Sequence, residues 1–434
     1  MTKNIKYLLA ASSGSLFETF DFYLFSLFSI FIHQTILGED FNTTMIWIFL
    51  IFASGYFSRI IGALFFGYIG DKYGRSYSFR FTILIIALSS IGIGFTPTYN
   101  TIGIFSIILL FVFRIAQGFS YGGELSGAIV MVYENSTKHR GLYCSIILIF
   151  ASFGFIIANL CYTGLEYWLN SEQIVSFGWR IAFICGGLII LHSYFARVTL
   201  YESRVFKKIK SAKKNKKAAL RQIAKNYKAL MIFVFFTQAG IASYWGILVA
   251  YLPVYCAEYY EISTIKLSEM MLIMSICIPI GTMIGGLIAD WIGIKNAYLV
   301  YSVIMLIIIM PVYNYIINDA KTMIEIFIIM GGFSLLTGLM HGTANYFSTN
   351  SFPAEIRYSS VAIIQNIGMA VFAGLAPLYV SSLTHYFNDI MIPAKVLTIN
   401  YAIQVIAILI VIFYCRNPLP LGRMSKKLKT SSLK

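Results

Sequence analysis

The sequence predicts an all-α membrane protein with twelve transmembrane helices arranged as two pseudo-symmetric six-helix bundles. Of its 434 residues, 58% are hydrophobic and only 12% are charged, which is more apolar surface than a soluble fold of this size can bury. The apolar runs are long and continuous, so they predict helices and not the alternating strands of a β-barrel. Basic residues are concentrated in the short segments between these runs, which is a signal of membrane topology.

Twelve apolar runs are long enough to cross a bilayer as helices. The first run is too long for a signal peptide and carries two acidic residues, so it predicts a retained span. The runs cover residues 7–37, 45–70, 79–95, 101–133, 142–166 and 178–198 in the first half of the chain, and 229–257, 268–290, 297–317, 323–348, 358–386 and 396–415 in the second half.

A basic segment, residues 199–228, separates the two sets of six runs. It predicts a linker between an N-terminal bundle at 1–198 and a C-terminal bundle at 229–415, with a basic tail at 416–434. The segments on the side of the N-terminus collect most of the lysines and arginines, which predicts that both termini are cytoplasmic in a bacterial inner membrane. The linker is interpreted as a solvated loop, and contact with anionic lipid headgroups is the alternative.

A short Gly-x-x-x-Asp motif follows the second run and is repeated after the eighth. The first copy contains Gly67, Asp71, Gly74 and Arg75, and the second contains Asp290. Both copies occupy the same place in their half of the chain, which indicates a duplicated six-span unit.

Two acidic residues interrupt the first apolar run. Glu18 and Asp21 are three residues apart, so on a helix they share one face near the middle of the span. Arg59 lies at a similar depth in the second span. Ionised groups at that depth are costly and usually belong to a substrate or proton pathway. Asp21 is the preferred proton carrier, because it is the deeper acid and aromatic residues flank it closely.

A polar stripe runs along the fourth span. Arg114, Gln117, Tyr121 and Glu124 follow the spacing i, i+3, i+7 and i+10, which places them on one helix face. Such a stripe belongs against a water-filled cavity or another polar helix, and not against lipid.

Together these residues predict a proton-coupled binding site. Asp21, Glu18 or Glu124 takes up and releases the proton, while Arg59 or Arg114 binds a substrate carboxylate or pairs again with the emptied acid. Static ion pairs that orient the bundle are the alternative. His341 and Asn345 lie one turn apart in the tenth span, although a lone histidine there is commonly a packed residue. The full set of predicted substrate contacts is Arg59, Arg114, Gln117, Tyr121, Tyr23, His341 and Asn345.

Four stretches of the chain resemble the metabolite:proton symporters of the major facilitator superfamily, which include proline/betaine, 2-oxoglutarate, citrate and shikimate carriers. They are residues 18–23, 57–62 with the adjoining loop motif, 114–124 and 352–357. The resemblance implies alternating access and an inner gate that the loop motif latches without contacting substrate. Thr19 and Ile60 depart from the usual pattern and loosen any inference about substrate. The predicted gating residues are Gly67, Asp71, Gly74, Arg75, Asp290, Glu355 and Arg357.

Secondary active transport is the predicted function. The sequence has no Gly-x-x-x-x-Gly-Lys-Ser/Thr loop for nucleotides, no recognisable channel filter, and no nucleophile–base set or metal cluster of an enzyme. No enzyme activity, cofactor or metal is therefore expected. The expected partners are a small-molecule substrate, protons and membrane lipids, without nucleic acid, and the chain is expected to be a monomer.

The distribution of deep cations bears on the substrate. The spans after Lys228 have no central lysine or arginine, whereas a tricarboxylate would require positive charge from both halves. A proline- or betaine-like zwitterion, an osmolyte, is therefore preferred over an organic acid of the 2-oxoglutarate, citrate or shikimate type. Drug export is disfavoured, because the fifth span lacks the Gly-Pro element shared by drug antiporters of that superfamily.

Overall fold

The computed structural model describes residues 2–36, 41–73, 75–136, 138–198, 227–251, 264–318, 322–354 and 356–416. All regular secondary structure in these ranges is helical, which confirms the predicted all-α class. The predicted linker lies almost wholly outside the described residues, as does the tail after 416.

The first half of the chain contains six helical spans. Two short helices, Tyr99–Ile102 and Ser171–Gln173, precede the fourth and the sixth, and a π-helical turn, Ile174–Gly178, leads directly into the sixth. The spans are α1 (Thr2–Leu27, continued after Phe28 by Ser29–Ile36), α2 (Phe41–Tyr73), α3 (Arg75–Phe95), α4 (Ile104–Asn135), α5 (Arg140–Trp168) and α6 (Trp179–Val198).

The second half contains the other six predicted spans. Over both halves of the described chain, eight helices are long and apolar enough to cross a membrane. The number is nine if α7, which is bent between Phe236 and Ala239, counts as one span. The spans are α7 (Lys228–Phe236, Ala239–Tyr244 and the π-helical Trp245–Tyr251), α8 (Thr264–Ile292), α9 (Ile294–Asn318), α10 (Met323–Ser351), α11 (Arg357–Met369, the π-helical Ala370–Gly374 and Ala376–Phe387) and α12 (Ile392–Arg416).

The two halves pack together in an exchanged pattern. Helix α5 of the first half contacts α8 and α10 of the second, and α11 of the second half contacts α2 and α4 of the first. Because α8 and α11 correspond to α2 and α5 after duplication, the contact between α5 and α8 has its counterpart between α11 and α2. This is the relation expected of two pseudo-symmetric bundles.

Glycines bring α2 and α4 together near the middle of the first bundle. A Cβ on Gly62 would overlap the carbonyl oxygen of Phe119, and a Cβ on Gly122 would overlap that of Arg59. Only glycine permits this approach of the two backbones, as in small-residue contacts between membrane helices. The contact brings Arg59 close to the polar stripe of α4.

Helix α7 bends by 41° between its first two parts. Buried side chains bind the backbone groups that the break releases: Gln404 Oε1 accepts from the backbone N–H of Ile241 at 3.1 Å, and the Tyr298 hydroxyl donates to the carbonyl oxygen of Thr237. The Gln404 amide nitrogen also donates to Ser302 Oγ at 2.8 Å. Polar residues of neighbouring helices therefore support an irregular backbone that apolar side chains would leave unsatisfied.

We expect Gln404→Leu to lower the free energy of unfolding by about 1–3 kcal/mol, because it leaves the buried backbone N–H of Ile241 without its partner. The measurement is reversible unfolding in detergent, followed by the fluorescence of the tryptophans. Gln173→Leu is the matched control, since Gln173 is exposed just before α6. Equal stability of the two variants would show that the bend does not depend on Gln404.

Candidate functional site

A cavity of about 1010 Å³, a volume that includes its solvent-open part, lies between the two bundles. Residues of α1, α2, α4 and α5 line one side, and residues of α7, α10 and α11 line the other. Among these lining residues, formal charge is confined to Glu18 and Arg59, both from the first half. These two charges can orient a small organic solute.

Arg59 presents its guanidinium to this cavity among aromatic rings. Its Cζ lies 4.3 Å from the ring centroid of Phe22, 4.9 Å from that of Tyr121 and 5.1 Å from that of Tyr56. Its buried Nε has no hydrogen-bond partner within the described ranges. Cation–π contacts hold the side chain while leaving N–H donors for a planar anion such as a carboxylate.

Asp21 lies behind the cavity wall and is almost fully buried. Its carboxylate accepts hydrogen bonds from the hydroxyls of Ser90 and Tyr121 and from Gln117 Nε2, the last at 2.6 Å. Helices α1, α3 and α4 each contribute to this network. Tyr121 also lines the cavity, so this residue links the solute space to the carboxylate.

Arg114 belongs to the same buried network. Its Nη1 donates to Gln117 Oε1 at 3.1 Å, and its Cζ lies 4.6 Å from the Phe22 ring centroid and 4.2 Å from that of Phe25. Phe22 therefore contacts both arginines. Neither Arg114 nor Gln117 lines the cavity, although the sequence predicted both as substrate contacts.

The other two predicted proton carriers have different surroundings. Glu18 lines the cavity and is 5% exposed. Glu124 is fully buried, is absent from the cavity lining, and accepts a hydrogen bond from Thr82 Oγ1 of α3. The structure thus brings Asp21, Arg114, Gln117 and Tyr121 into one network and places Glu124 in a separate contact.

The second half contributes an uncharged face to the cavity. Trp245 lies 6.3 Å from Tyr23 of the first half and 5.9 Å from His341, measured between ring centroids. Buried Nδ1 of His341 has no hydrogen-bond partner among the described residues. Asn345 Oδ1 accepts from Gln365 Nε2 at 2.5 Å. Tyr23, His341 and Asn345, all predicted from the sequence, do line the cavity.

The second copy of the loop motif contacts the first half through Asp290. Its two carboxylate oxygens accept from the backbone N–H groups of Gly141 and Leu142, at 2.8 Å and 3.0 Å. These groups open helix α5, so the carboxylate also meets the positive end of the helix dipole. We refer to the end of the bundle where α4 meets α5 and α10 meets α11 as the latch end.

Arg357 makes a second contact between the halves at the latch end. Its Nη1 lies 3.3 Å from Glu134 Oε1, and its Cζ lies 4.8 Å from the ring centroid of Tyr133. The Tyr133 hydroxyl donates to Asn350 Oδ1 at 2.7 Å. Arg357 Nε donates to the carbonyl oxygens of residues 349 and 352, and these bonds hold the guanidinium in place.

The remaining predicted gating residues are only partly described. A Cβ on Gly67 would lie 3.4 Å from the Cα of Ser359, which places Gly67 against α11. Gly74 and Glu355 lie outside the described residues, and so do the side chains of Asp71 and Arg75.

Several residues of the site were not singled out from the sequence. Ser90 binds Asp21, and Gln238, Gln365 and Asn366 line the cavity. Serine is frequent in membrane helices as a packing residue, so Ser90 carried no distinct signal. The three amides did carry one, because a polar amide inside an apolar run also needs a partner.

Comparison with known proteins gives a consistent result. The family profile of the Major Facilitator Superfamily matches residues 14–377. A putative proline/betaine transporter of Staphylococcus aureus is 32% identical, over 98% of this chain and 90% of the relative. The inner membrane metabolite transport protein YhjE of Escherichia coli is 28% identical, over 86% of each chain. The resemblance predicted from the sequence motifs is confirmed.

Solved structures show the same fold. The proton:xylose symporter XylE bound to 6-bromo-6-deoxy-D-glucose superposes with a TM-score of 0.76, with 17% identity over 95% of each chain. The inward open conformation of XylE from E. coli gives a TM-score of 0.66, with 16% identity over 94% of this chain and 95% of that one. At this identity the likeness concerns the fold alone.

Proposed function

Since the chain belongs to the major facilitator superfamily, we propose that it imports a proline- or betaine-like zwitterion together with protons, by alternating access. It is an integral membrane transporter, like its relatives. The observation that carries the proposal is the cavity between the halves, in which Arg59 and Glu18 are the charged lining residues and Asp21 lies one hydroxyl away.

Arg59 is the proposed site for the solute carboxylate. Its aromatic contacts leave donors in a planar fork, which suits bidentate binding of a carboxylate. Arg114 has a different proposed role, because its guanidinium is packed against Phe22 and Phe25 beside the Asp21 network. One cavity arginine and one cavity acid match a zwitterion better than a tricarboxylate.

Asp21 is the proposed proton carrier. Three donors stabilise its ionised form in this conformation. Proton uptake would require those donors to rearrange, and Tyr121 connects that rearrangement to the solute space. Glu18 is the second candidate, because it lines the cavity directly, and Glu124 is the third.

Uptake by proteoliposomes under an imposed pH gradient, inside alkaline, tests the proposal. The solutes to compare are proline, betaine, 2-oxoglutarate, citrate and shikimate. Accumulation of proline or betaine that a protonophore abolishes is the expected result. Accumulation of only an organic acid would replace the zwitterion by the alternative substrate class, and outward flux of drugs would contradict import.

We propose that the latch end is the cytoplasmic gate and that the contacts described above close it. The basic residues on the side of the N-terminus favour cytoplasmic termini. The even-numbered spans α4 and α10 end at the latch end, which would place this end on the same, cytoplasmic side. The proposal extends to a bacterial inner membrane, to contacts with its lipids and to a monomer that needs no cofactor and has no enzyme activity. The first motif copy would contribute to the same gate through Asp71 and Arg75.

We expect Asp290→Ala to open the latch end. The variant removes two hydrogen bonds and a favourable contact with the helix dipole. The population of the open state should therefore rise by roughly 10-fold or more. Cys144 of α5 is a native reporter of opening. Its thiol is buried, and it lies close enough to Asp290 to interact with that charge. Its rate of alkylation by a water-soluble maleimide should rise by a similar factor. The other cysteines, replaced by serine for this experiment, are Cys161, Cys185, Cys256, Cys277 and Cys415.

Asp389→Ala is the matched control. Asp389 also accepts from a backbone N–H, that of Met391, and pairs with Lys395, but it lies at the opposite end of the bundle. Labelling of Cys144 should be unchanged in this control. If Asp290→Ala labels as slowly as the control, the two bonds to α5 do not hold the gate.

A further inference from the structure

The second-half face of the cavity carries an amide whose orientation is determined by its partners. Asn366 Nδ2 donates to the carbonyl oxygens of Gly122 and Ala362, both at 2.8 Å. Carbonyl oxygens only accept, so the nitrogen must occupy this position. Oδ1 of Asn366 is then the remaining polar atom of this cavity-lining side chain, and it is an acceptor.

Two further amides of this face donate through their nitrogen atoms to an amide oxygen and to a hydroxyl. Gln365 Nε2 donates to Asn345 Oδ1 at 2.5 Å, and Gln238 Nε2 donates to Ser348 Oγ at 3.0 Å. In each case the nitrogen is bonded within the protein, and the oxygen accepts from no donor among the described residues. This side of the cavity therefore carries three such amide oxygens, beside the Asn345 amide and the Trp245 and His341 rings, and its lining residues carry no formal charge.

The aromatic rings of the first-half wall, which could bind a quaternary ammonium, are largely occupied. Phe22, Tyr56 and Tyr121 all lie against the Arg59 guanidinium. Tyr23 packs against Phe155, with ring centroids 4.2 Å apart. A cation that lacks N–H groups would meet the amide oxygens of the second-half face beside the Trp245 ring, and its methyl groups would remove water from those oxygens without replacing the lost hydrogen bonds.

We propose that Gln238, Gln365 and Asn366 determine specificity, and that they select a carboxylate whose other end carries N–H or O–H donors over a quaternary ammonium. The inference rests on the proposed function, because it takes the solute carboxylate to lie on Arg59. A secondary ammonium with two hydrogens, such as that of proline, satisfies two acceptors. Hydroxyl groups on a ring offer the same chemistry.

Three ligands in which methyl groups replace N–H donors one at a time test this inference. Proline, N-methylproline and N,N-dimethylproline carry two, one and no hydrogens on the charged nitrogen. Calorimetric titration of the purified full-length protein should give a Kd that rises with each methyl group, by roughly 10-fold or more across the series, because each lost donor leaves a desolvated acceptor. Equal or tighter binding of the dimethyl compound overturns the inference.

Gln365→Met separates hydrogen bonding from steric exclusion. The variant keeps an unbranched side chain of similar length but removes the acceptor, so the ratio of the dimethylproline Kd to the proline Kd should fall several-fold. Gln173→Met is the matched control, since Gln173 is exposed just before α6 and does not line the cavity. Its ratio should equal that of the wild type. An unchanged ratio in Gln365→Met also overturns the inference.

A second pair of ligands distinguishes the source of the donors. Shikimate and cyclohex-1-ene carboxylate share a carboxylate but differ in ring hydroxyls. Preference for shikimate, with no binding of the proline series, supports the inference with a hydroxylated acid as solute. If no compound of either series binds, the inference and the proposed function both fail. If proline binds in the expected order but a pH gradient does not drive its uptake, only the proposed proton coupling fails.

Discussion

Replacement of Asp21 by asparagine should abolish proton-driven accumulation of the solute while preserving exchange of solute across the membrane. Asparagine keeps the volume, and with its oxygen toward Tyr121 and Gln117 its amide nitrogen can donate to the Ser90 hydroxyl, which can also accept. It cannot gain or lose a proton. Because Asp21 is not part of the cavity lining, the solute contacts remain, and the change removes coupling without removing binding.

Proteoliposomes distinguish the two activities. Accumulation under an imposed pH gradient should fall to the level of empty vesicles in Asp21→Asn, whereas counterflow into vesicles preloaded with solute should continue. Glu18→Gln and Glu124→Gln are compared directly. Glu166→Gln is the control, because Glu166 is exposed near the end of α5 and bonds only to Tyr162 in the described ranges. If Asp21→Asn still accumulates solute and Glu18→Gln does not, the proton is carried by Glu18.

Most members of this network were predictable, but Ser90 and the pairing of the groups were not. Helical spacing is sufficient to place Arg114, Gln117 and Tyr121 on one face of α4, and the burial cost of a charge makes Asp21 a candidate. Which partner each group finds depends on how α1, α3 and α4 meet. Gln117 stands between Arg114 and Asp21, and so the sequence could not distinguish an arginine that binds solute from one that supports the acid.

The irregular helices account for most of the remaining difference. The apolar run of α7 predicts one continuous span, yet it bends by 41° and ends in a π-helical segment that contains Trp245. Gln238 lies in this bend and lines the cavity. The partners that stabilise the bend, Gln404 and Tyr298, come from other helices, so no local pattern encodes it. The sequence predicts the spans well, because a span depends on a local run of apolar residues. It does not predict the shape of the cavity, which depends on contacts between helices that are distant in sequence.

Replacement of Arg59 by alanine should raise the Kd for a carboxylate solute roughly 10- to 100-fold, because a charge-assisted bidentate pair is lost from a partly desolvated site. The aromatic contacts of Arg59 strengthen this expectation. Phe22, Tyr56 and Tyr121 already hold the guanidinium in position, so little rotational freedom is lost when solute binds. Arg59→Lys should recover part of the affinity, since it restores charge but not the planar fork.

Proline and prolinamide together isolate the carboxylate contact. Prolinamide lacks the anionic group, so the wild type should bind it weakly and Arg59→Ala should bind it no worse than the wild type does. Arg180→Ala is the matched control, because Arg180 donates to backbone carbonyls of residues 94 and 96 away from the cavity. Its Kd for proline should equal that of the wild type. A similar loss for both ligands in Arg59→Ala would mean that Arg59 shapes the cavity and does not bind the carboxylate, and Arg114 would then be the next arginine to test.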